Sequence, residues 1–109
     1  MRQPEYGTIT PRELKERLDA GEVPVLLDVR ELWEFQVSRI EGSKLVPMNE
    51  MTERVSELDP ESETVVICHH GARSAYVTQA LEQAGFANVL NLEGGLDVYS
   101  DVDPSVPRY

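Results

Sequence analysis

The stretch that can do chemistry is Ile67-Cys68-His69-His70-Gly71-Ala72-Arg73-Ser74. It puts a thiol, two imidazoles, a guanidinium and a hydroxyl within seven residues. Thiolate, not thiol, is the nucleophilic form of cysteine. A thiolate is stabilised where backbone N–H groups converge, above all at the start of a helix, whose first-turn amides have no carbonyl of their own. Gly71 lets the backbone curl where a Cβ would crowd it. Cys68 is therefore read as a nucleophile. His69, His70, Gly71, Ala72, Arg73 and Ser74 form the loop that binds its substrate, and a ring of main-chain donors is expected around the sulfur. The competing reading is an inert cysteine buried at a strand end.

The flanking sequence has to place that thiol between a strand and a helix, and it does. Thr64-Val65-Val66-Ile67 is the strongest strand candidate, all β-branched. Arg73 to Ala84 carries an apolar stripe of Val77, Ala80, Leu81 and Ala84 and stops at Gly85. Upstream, Thr10-Pro11-Arg12-Glu13 opens a helix running to about Ala20. Val25-Leu26-Leu27-Asp28-Val29 reads as a central strand, Glu31–Val37 as a short helix, and Lys44–Met48 as a strand shortened by Pro47. Asn49 is expected to cap a helix carrying Met51, Val55 and Leu58. Asn88–Leu92 is a further strand, Leu96–Ser100 a last helical turn, and Asp101–Tyr109 a surface tail. Alternating strands and helices at this spacing imply a parallel sheet covered on both faces. Ligands of such sheets bind at the carboxyl ends of the strands, where both Asp28-Val29-Arg30 and Cys68 fall.

Composition narrows the classes. The chain has 109 residues with 10 Lys plus Arg and 20 Asp plus Glu, a formal charge of −10. That balance disfavours nucleic-acid and anionic-membrane binding. Apolar residues are 40% of the chain, enough for one core, and one domain over 1–109 is expected. No apolar run approaches the length of a membrane helix. The one cysteine excludes an intrachain disulfide, a CxxC pair and a four-cysteine zinc site. No metal, nucleotide or other cofactor is expected, since neither GxxxxGK nor GxGxxG occurs. A reducing, cytoplasmic compartment is the expected home.

Beyond these inferences, Cys68-x-x-Gly71-x-Arg73-Ser74 resembles the active-site loop of single-domain rhodanese-like sulfurtransferases. So do Leu27-Asp28-Val29-Arg30-Glu31 with Glu34-Phe35, Arg39-Ile40-Glu41-Gly42-Ser43 through Val46-Pro47, Gly85-Phe86 through Val89, and Leu92-Glu93-Gly94-Gly95-Leu96, in the family's order. Two positions depart from the pattern: Ser38-Arg39-Ile40 stands where Gly-His-Ile is usual, and Tyr99 where Trp is common. The resemblance implies a three-layer α/β/α domain with a mostly parallel, five-stranded sheet. It also implies a persulfide on Cys68, filled from thiosulfate or a related donor and emptied by cyanide, a thiol or a sulfur-carrier protein. With no second thiol in the chain, the sulfur must leave to an external acceptor. Phosphatases of this fold are expected to have five residues between Cys and Arg, and here four intervene. The alternatives are a phosphatase or arsenate reductase on the same fold, or a non-catalytic binding module.

Supporting roles fall to Asp28 and Arg30. Asp28 needs a cationic partner, either Arg30 or Arg73. Arg73 is expected to brace the loop against Asp28 or Glu31 more than to meet substrate. The two histidines are expected to point apart, able when protonated to help hold an anion. Trp33 and Phe35 read as core or rim packing.

Overall fold

A computed structural model describes residues 6–109. Five strands form one parallel sheet in the order β1-β5-β4-β2-β3. They are β1 (Thr8–Ile9), β2 (Val25–Asp28), β3 (Lys44–Leu45), β4 (Thr64–Ile67) and β5 (Val89–Leu92). The helices are α1 (Pro11–Asp19), α2 (Leu32–Val37), α3 (Met51–Arg54), α4 (Ala72–Gln83) and α5 (Gly95–Tyr99). None is long and apolar enough to cross a membrane.

Strand parity divides the core in two. Leu26, Val65, Ile67 and Leu92 face one side with Leu14 of α1, Leu96 and Tyr99 of α5, and Val106. Leu27, Val66 and Val89 face the other with Val77 and Leu81 of α4. This two-sided burial is why β2 and β4 read as continuous apolar runs without alternation. The same parity sends Cys68, two residues after Val66, to the α4 side.

α1 starts as its sequence indicates. Thr10 Oγ1 accepts from the Glu13 N–H at 3.1 Å and Glu13 accepts from the Thr10 N–H at 2.9 Å, a reciprocal cap. Two elements differ from expectation, the Asn49 segment and the tail. Asn49 lies inside a 3-10 turn, Met48–Glu50, and caps nothing; α3 is a single turn followed by a second 3-10 turn, Val55–Glu57. The Met48 N–H is committed to the Val29 carbonyl at 3.0 Å, tying that segment to the sheet end. β3 ends at Leu45, short of Pro47, although the Val46 N–H still reaches the Asp28 carbonyl at 2.9 Å. The tail Asp101–Tyr109 does not simply lie along the surface. Val106 is buried in the α1–α5 side of the core, and the Ser38 hydroxyl donates to the Pro107 carbonyl at 2.5 Å.

Candidate active site

β4 ends at Ile67 and α4 begins at Ala72, so four residues make the whole turn from strand to helix. Gly71 makes that turn possible with φ +101, a left-handed conformation that a side chain would strain. Its N–H donates to Cys68 Sγ at 3.0 Å. Ser74 Oγ lies 3.2 Å from the same sulfur. One amide and one hydroxyl thus reach Sγ, in place of the expected ring of main-chain donors. Cys68 is 1% exposed and sits on the apolar cluster of Val66 and Val77, yet its sulfur is hydrogen-bonded, unlike that of an inert core cysteine. Gly71 and Ser74 are buried beside it, His69 and Arg73 are half-buried, and His70 and Ala72 are exposed.

The outer side of the loop is held by α5. The Leu96 N–H donates to the Cys68 carbonyl at 2.9 Å and the Asp97 N–H to the His69 carbonyl at 3.0 Å. Only glycine fits at Gly95, since a Cβ there would lie 2.4 Å from the His69 oxygen and 2.5 Å from the Cys68 oxygen. The first turn of α5 therefore satisfies two carbonyl acceptors that would otherwise compete with Sγ for the loop's own N–H groups.

Arg73 is held in an ion pair, and its partner is neither Asp28 nor Glu31. It donates to both oxygens of Glu34 on α2, at 2.7 and 2.9 Å. Arg73 holds the Glu34 carboxyl down to about 2, with the Glu31 N–H and the Tyr109 hydroxyl adding to the effect against the cost of burial. Asp28 pairs with Arg30, and both side chains are fully buried. Arg30 Nε and Nη2 reach Asp28 at 2.7–3.1 Å, and the remaining donors serve the carbonyls of Glu34 and Ser38 and the hydroxyl of Tyr109. The Asp28–Arg30 pair lies at the end of β2, in register with Ile67, the residue before the thiol.

Two placements escape sequence reasoning. Tyr109, at the far end of the tail, accepts from Arg30 Nη1 and donates to Glu34 Oε2, each at 2.8 Å. Its ring stacks on His69 at 4.2 Å and 17°, and Trp33 meets it edge-on at 6.1 Å. Trp33 is thus rim packing, and Phe35 packs beneath the Arg39 guanidinium at 4.9 Å. His69 and His70 do not diverge: their rings stack at 4.1 Å and 21°. Burial lowers the pKa of His69, and the neighbouring His70 adds to that, so His69 favours its neutral form. His69, His70 and Asp97 bring possible ligand atoms within 4.8 Å of one another. A groove of about 550 Å³ lies between α3 and α4 along Met51, Val55, Tyr76 and Ala80, and holds no loop residue.

A thiol at a strand's carboxyl end, cradled by a tight glycine turn into a helix and backed by two ion pairs, defines a class of α/β domain built around one loop-held sulfur. The Rhodanese-like domain family model matches residues 10–101, and the chain belongs to that family. The putative sulfurtransferase YtwF of Bacillus subtilis is 37% identical over 92 residues, covering 84% of this chain and 88% of that protein. The adenylyltransferase and sulfurtransferase MOCS3-2 of Zea mays is 38% identical over 114 residues, covering 97% of this chain and 24% of that protein. The chain spans about a quarter of the length of the first curated relatives it matches. The crystal structure of a rhodanese-related protein from Thermoplasma volcanium superposes with a TM-score of 0.84 at 32% identity, covering 95% of this chain and 100% of that one. The five-stranded parallel sheet expected from the sequence is the observed one.

Proposed function

We propose that this domain is a sulfurtransferase that carries one sulfane sulfur on Cys68. The observation that carries the reading is the contact of Sγ with the Gly71 N–H and the Ser74 hydroxyl at the mouth of α4. The Cys68 thiolate attacks the outer sulfur of thiosulfate. The Sγ–S bond forms, the bond to the sulfonate sulfur breaks, and sulfite leaves with the electron pair. Sγ becomes uncharged and the negative charge passes to the outer sulfur. Cyanide, a thiol or a sulfur-carrier protein then takes that sulfur and returns the thiolate. His69, His70, Gly71, Ala72, Arg73 and Ser74 form the loop that receives the donor, Arg73 by bracing. Asp28 and Arg30 support it from below.

Intact-mass measurement after incubation with thiosulfate, paired with a thiocyanate assay, tests the reading. The wild-type chain gains one sulfur and forms thiocyanate, and Cys68→Ala does neither. Absence of a sulfur adduct on the wild type, or Cys68-dependent release of phosphate from an aryl phosphate, overturns it.

A further inference from the structure

Four hydrogen-bonding groups close a ring on the sulfur, and one member lies outside the loop. The Gly71 N–H reaches Sγ at 3.0 Å. The Gly71 carbonyl accepts from Asn91 Nδ2 at 3.3 Å. Asn91 Oδ1 accepts from the Ser74 hydroxyl at 2.5 Å, and Ser74 Oγ lies 3.2 Å from Sγ. Asn91 is the polar residue in the middle of β5, two after Val89, so parity turns it to the α4 side of the sheet with Cys68.

We propose that Asn91 is a positioning residue for Cys68: its Oδ1 competes with Sγ for the single hydroxyl proton of Ser74, yielding it when Sγ is charged and taking it back when Sγ is neutral.

The orientation of the carboxamide is set by its surroundings. With Nδ2 on the Gly71 carbonyl, Oδ1 must face Ser74; the flipped amide would press two oxygens together. Asn91 is 4% exposed and Ser74 is fully buried, so bulk water does not arbitrate between the two acceptors. Thr78 takes the Ser74 backbone carbonyl, at 2.7 Å, and leaves the hydroxyl free to turn. A serine hydroxyl has one proton to give. When Cys68 is a thiol, its S–H points to Ser74 Oγ and Ser74 donates to Asn91. When Cys68 is a thiolate, the charged sulfur attracts the proton and Asn91 Oδ1 goes without.

The consequence for sulfur transfer rests on the function proposed above. Loading moves the charge from Sγ to the outer sulfur, so Sγ is neutral in the persulfide as it is in the thiol. Asn91 then regains the Ser74 proton. Its presence favours the loaded carrier over the free thiolate, which holds the sulfur until an acceptor arrives.

The test uses Asn91→Leu, close in volume and without an acceptor, with Asn91→Ala as a second variant, each accepted if it keeps a cooperative thermal transition. Alkylation of Cys68 by iodoacetamide is timed at about pH 7 and about pH 10. Removing the competitor gives the thiolate the full Ser74 hydroxyl, and the rate near neutrality rises about fivefold, the weight of one hydrogen bond. At the higher pH the variant and wild type converge. In a Ser74→Ala background Asn91→Leu changes neither rate. An unchanged or lower neutral rate, or the same rise without Ser74, overturns the proposal. Where neither variant folds, the Asn91 carboxamide carbon resonance of the wild-type chain decides: it moves between the two pH values, and stays put in Cys68→Ala. The loaded fraction is then read by intact mass at a fixed thiosulfate-to-sulfite ratio, and falls several-fold in Asn91→Leu. Equal loading overturns the second half of the proposal. No loading of the wild type overturns the sulfurtransferase reading alone, and the alkylation rates still judge the competition between Asn91 and Sγ.

Discussion

Glu34 grips Arg73 through both carboxylate oxygens, so the arginine of the loop is already occupied by the protein itself. The fork-on-carboxylate geometry fixes the start of α4 against α2 and leaves Arg73 as a brace. Glu34 is buried while Arg73 is one-third exposed, which places the pair between a surface and an interior salt bridge.

Glu34→Gln is expected to lower stability by about 2–3 kcal/mol, because it leaves a half-buried guanidinium without its charge partner. The pH dependence follows from the depressed carboxyl. The stabilisation is complete above the ordinary glutamate value of 4.5 and is lost as pH falls through about 2. Urea unfolding followed downward across that window checks it: wild type and Glu34→Gln converge at the acid end. Curves that stay parallel contradict the assignment.

Tyr109 ties the tail to two ion pairs at once. Burial, with Glu34 acting in the same direction, pushes its phenol up to about 12, against the opposing pull of Arg30. The hydroxyl therefore keeps its proton for Glu34 through neutral and mildly alkaline pH. A raised value means that its stabilisation is full below 10, the ordinary tyrosine value, and disappears as pH rises through about 12. Tyr109→Phe should cost about 2–4 kcal/mol by thermal unfolding, since two buried charged partners lose one hydrogen bond each. Tyr109→Ala should cost more, by also removing the ring from His69 and Trp33. Equal losses in the two variants would mean that the stack carries no stability.

Gly95 and Gly21 make an informative pair. Both have positive φ, +61 and +88, but a Cβ at Gly21 meets nothing within 4 Å, whereas at Gly95 it strikes two loop carbonyls. Gly21→Ala is expected to cost about 1–2 kcal/mol from backbone strain alone. Gly95→Ala is expected to cost clearly more and to change the rate of Cys68 alkylation, because α5 must release the loop. Matched losses with unaltered alkylation would show that α5 does not hold the loop.

Thr10→Ala is the control for stability without chemistry. Loss of the reciprocal cap should cost about 1 kcal/mol and lower Tm by about 4–8 °C. Sulfur loading of the folded chain should be unaltered, and a change in loading would show that α1 reaches the loop.

The local pattern of the chain determines much of this protein. Strand β4, helix α4 and the Gly71 turn are legible because β-branched runs, an apolar stripe at helical spacing and a left-handed glycine act over a few residues. Together they suffice to place a thiol at the mouth of a helix. The occupant of each long-range contact is a different matter. Asp28, Glu31 and Glu34 are interchangeable as charge partners for Arg73 when only type and proximity are known. The placement of α2 beside the start of α4 selected Glu34, while Asp28 lay within reach of Arg30. His69 stacks on its neighbour His70 and also on the ring of Tyr109, about forty residues downstream. Asn91 meets Ser74 because parallel pairing of β4 and β5 sets their register. Such pairings are chosen by three-dimensional packing, where many polar residues could serve and burial admits one.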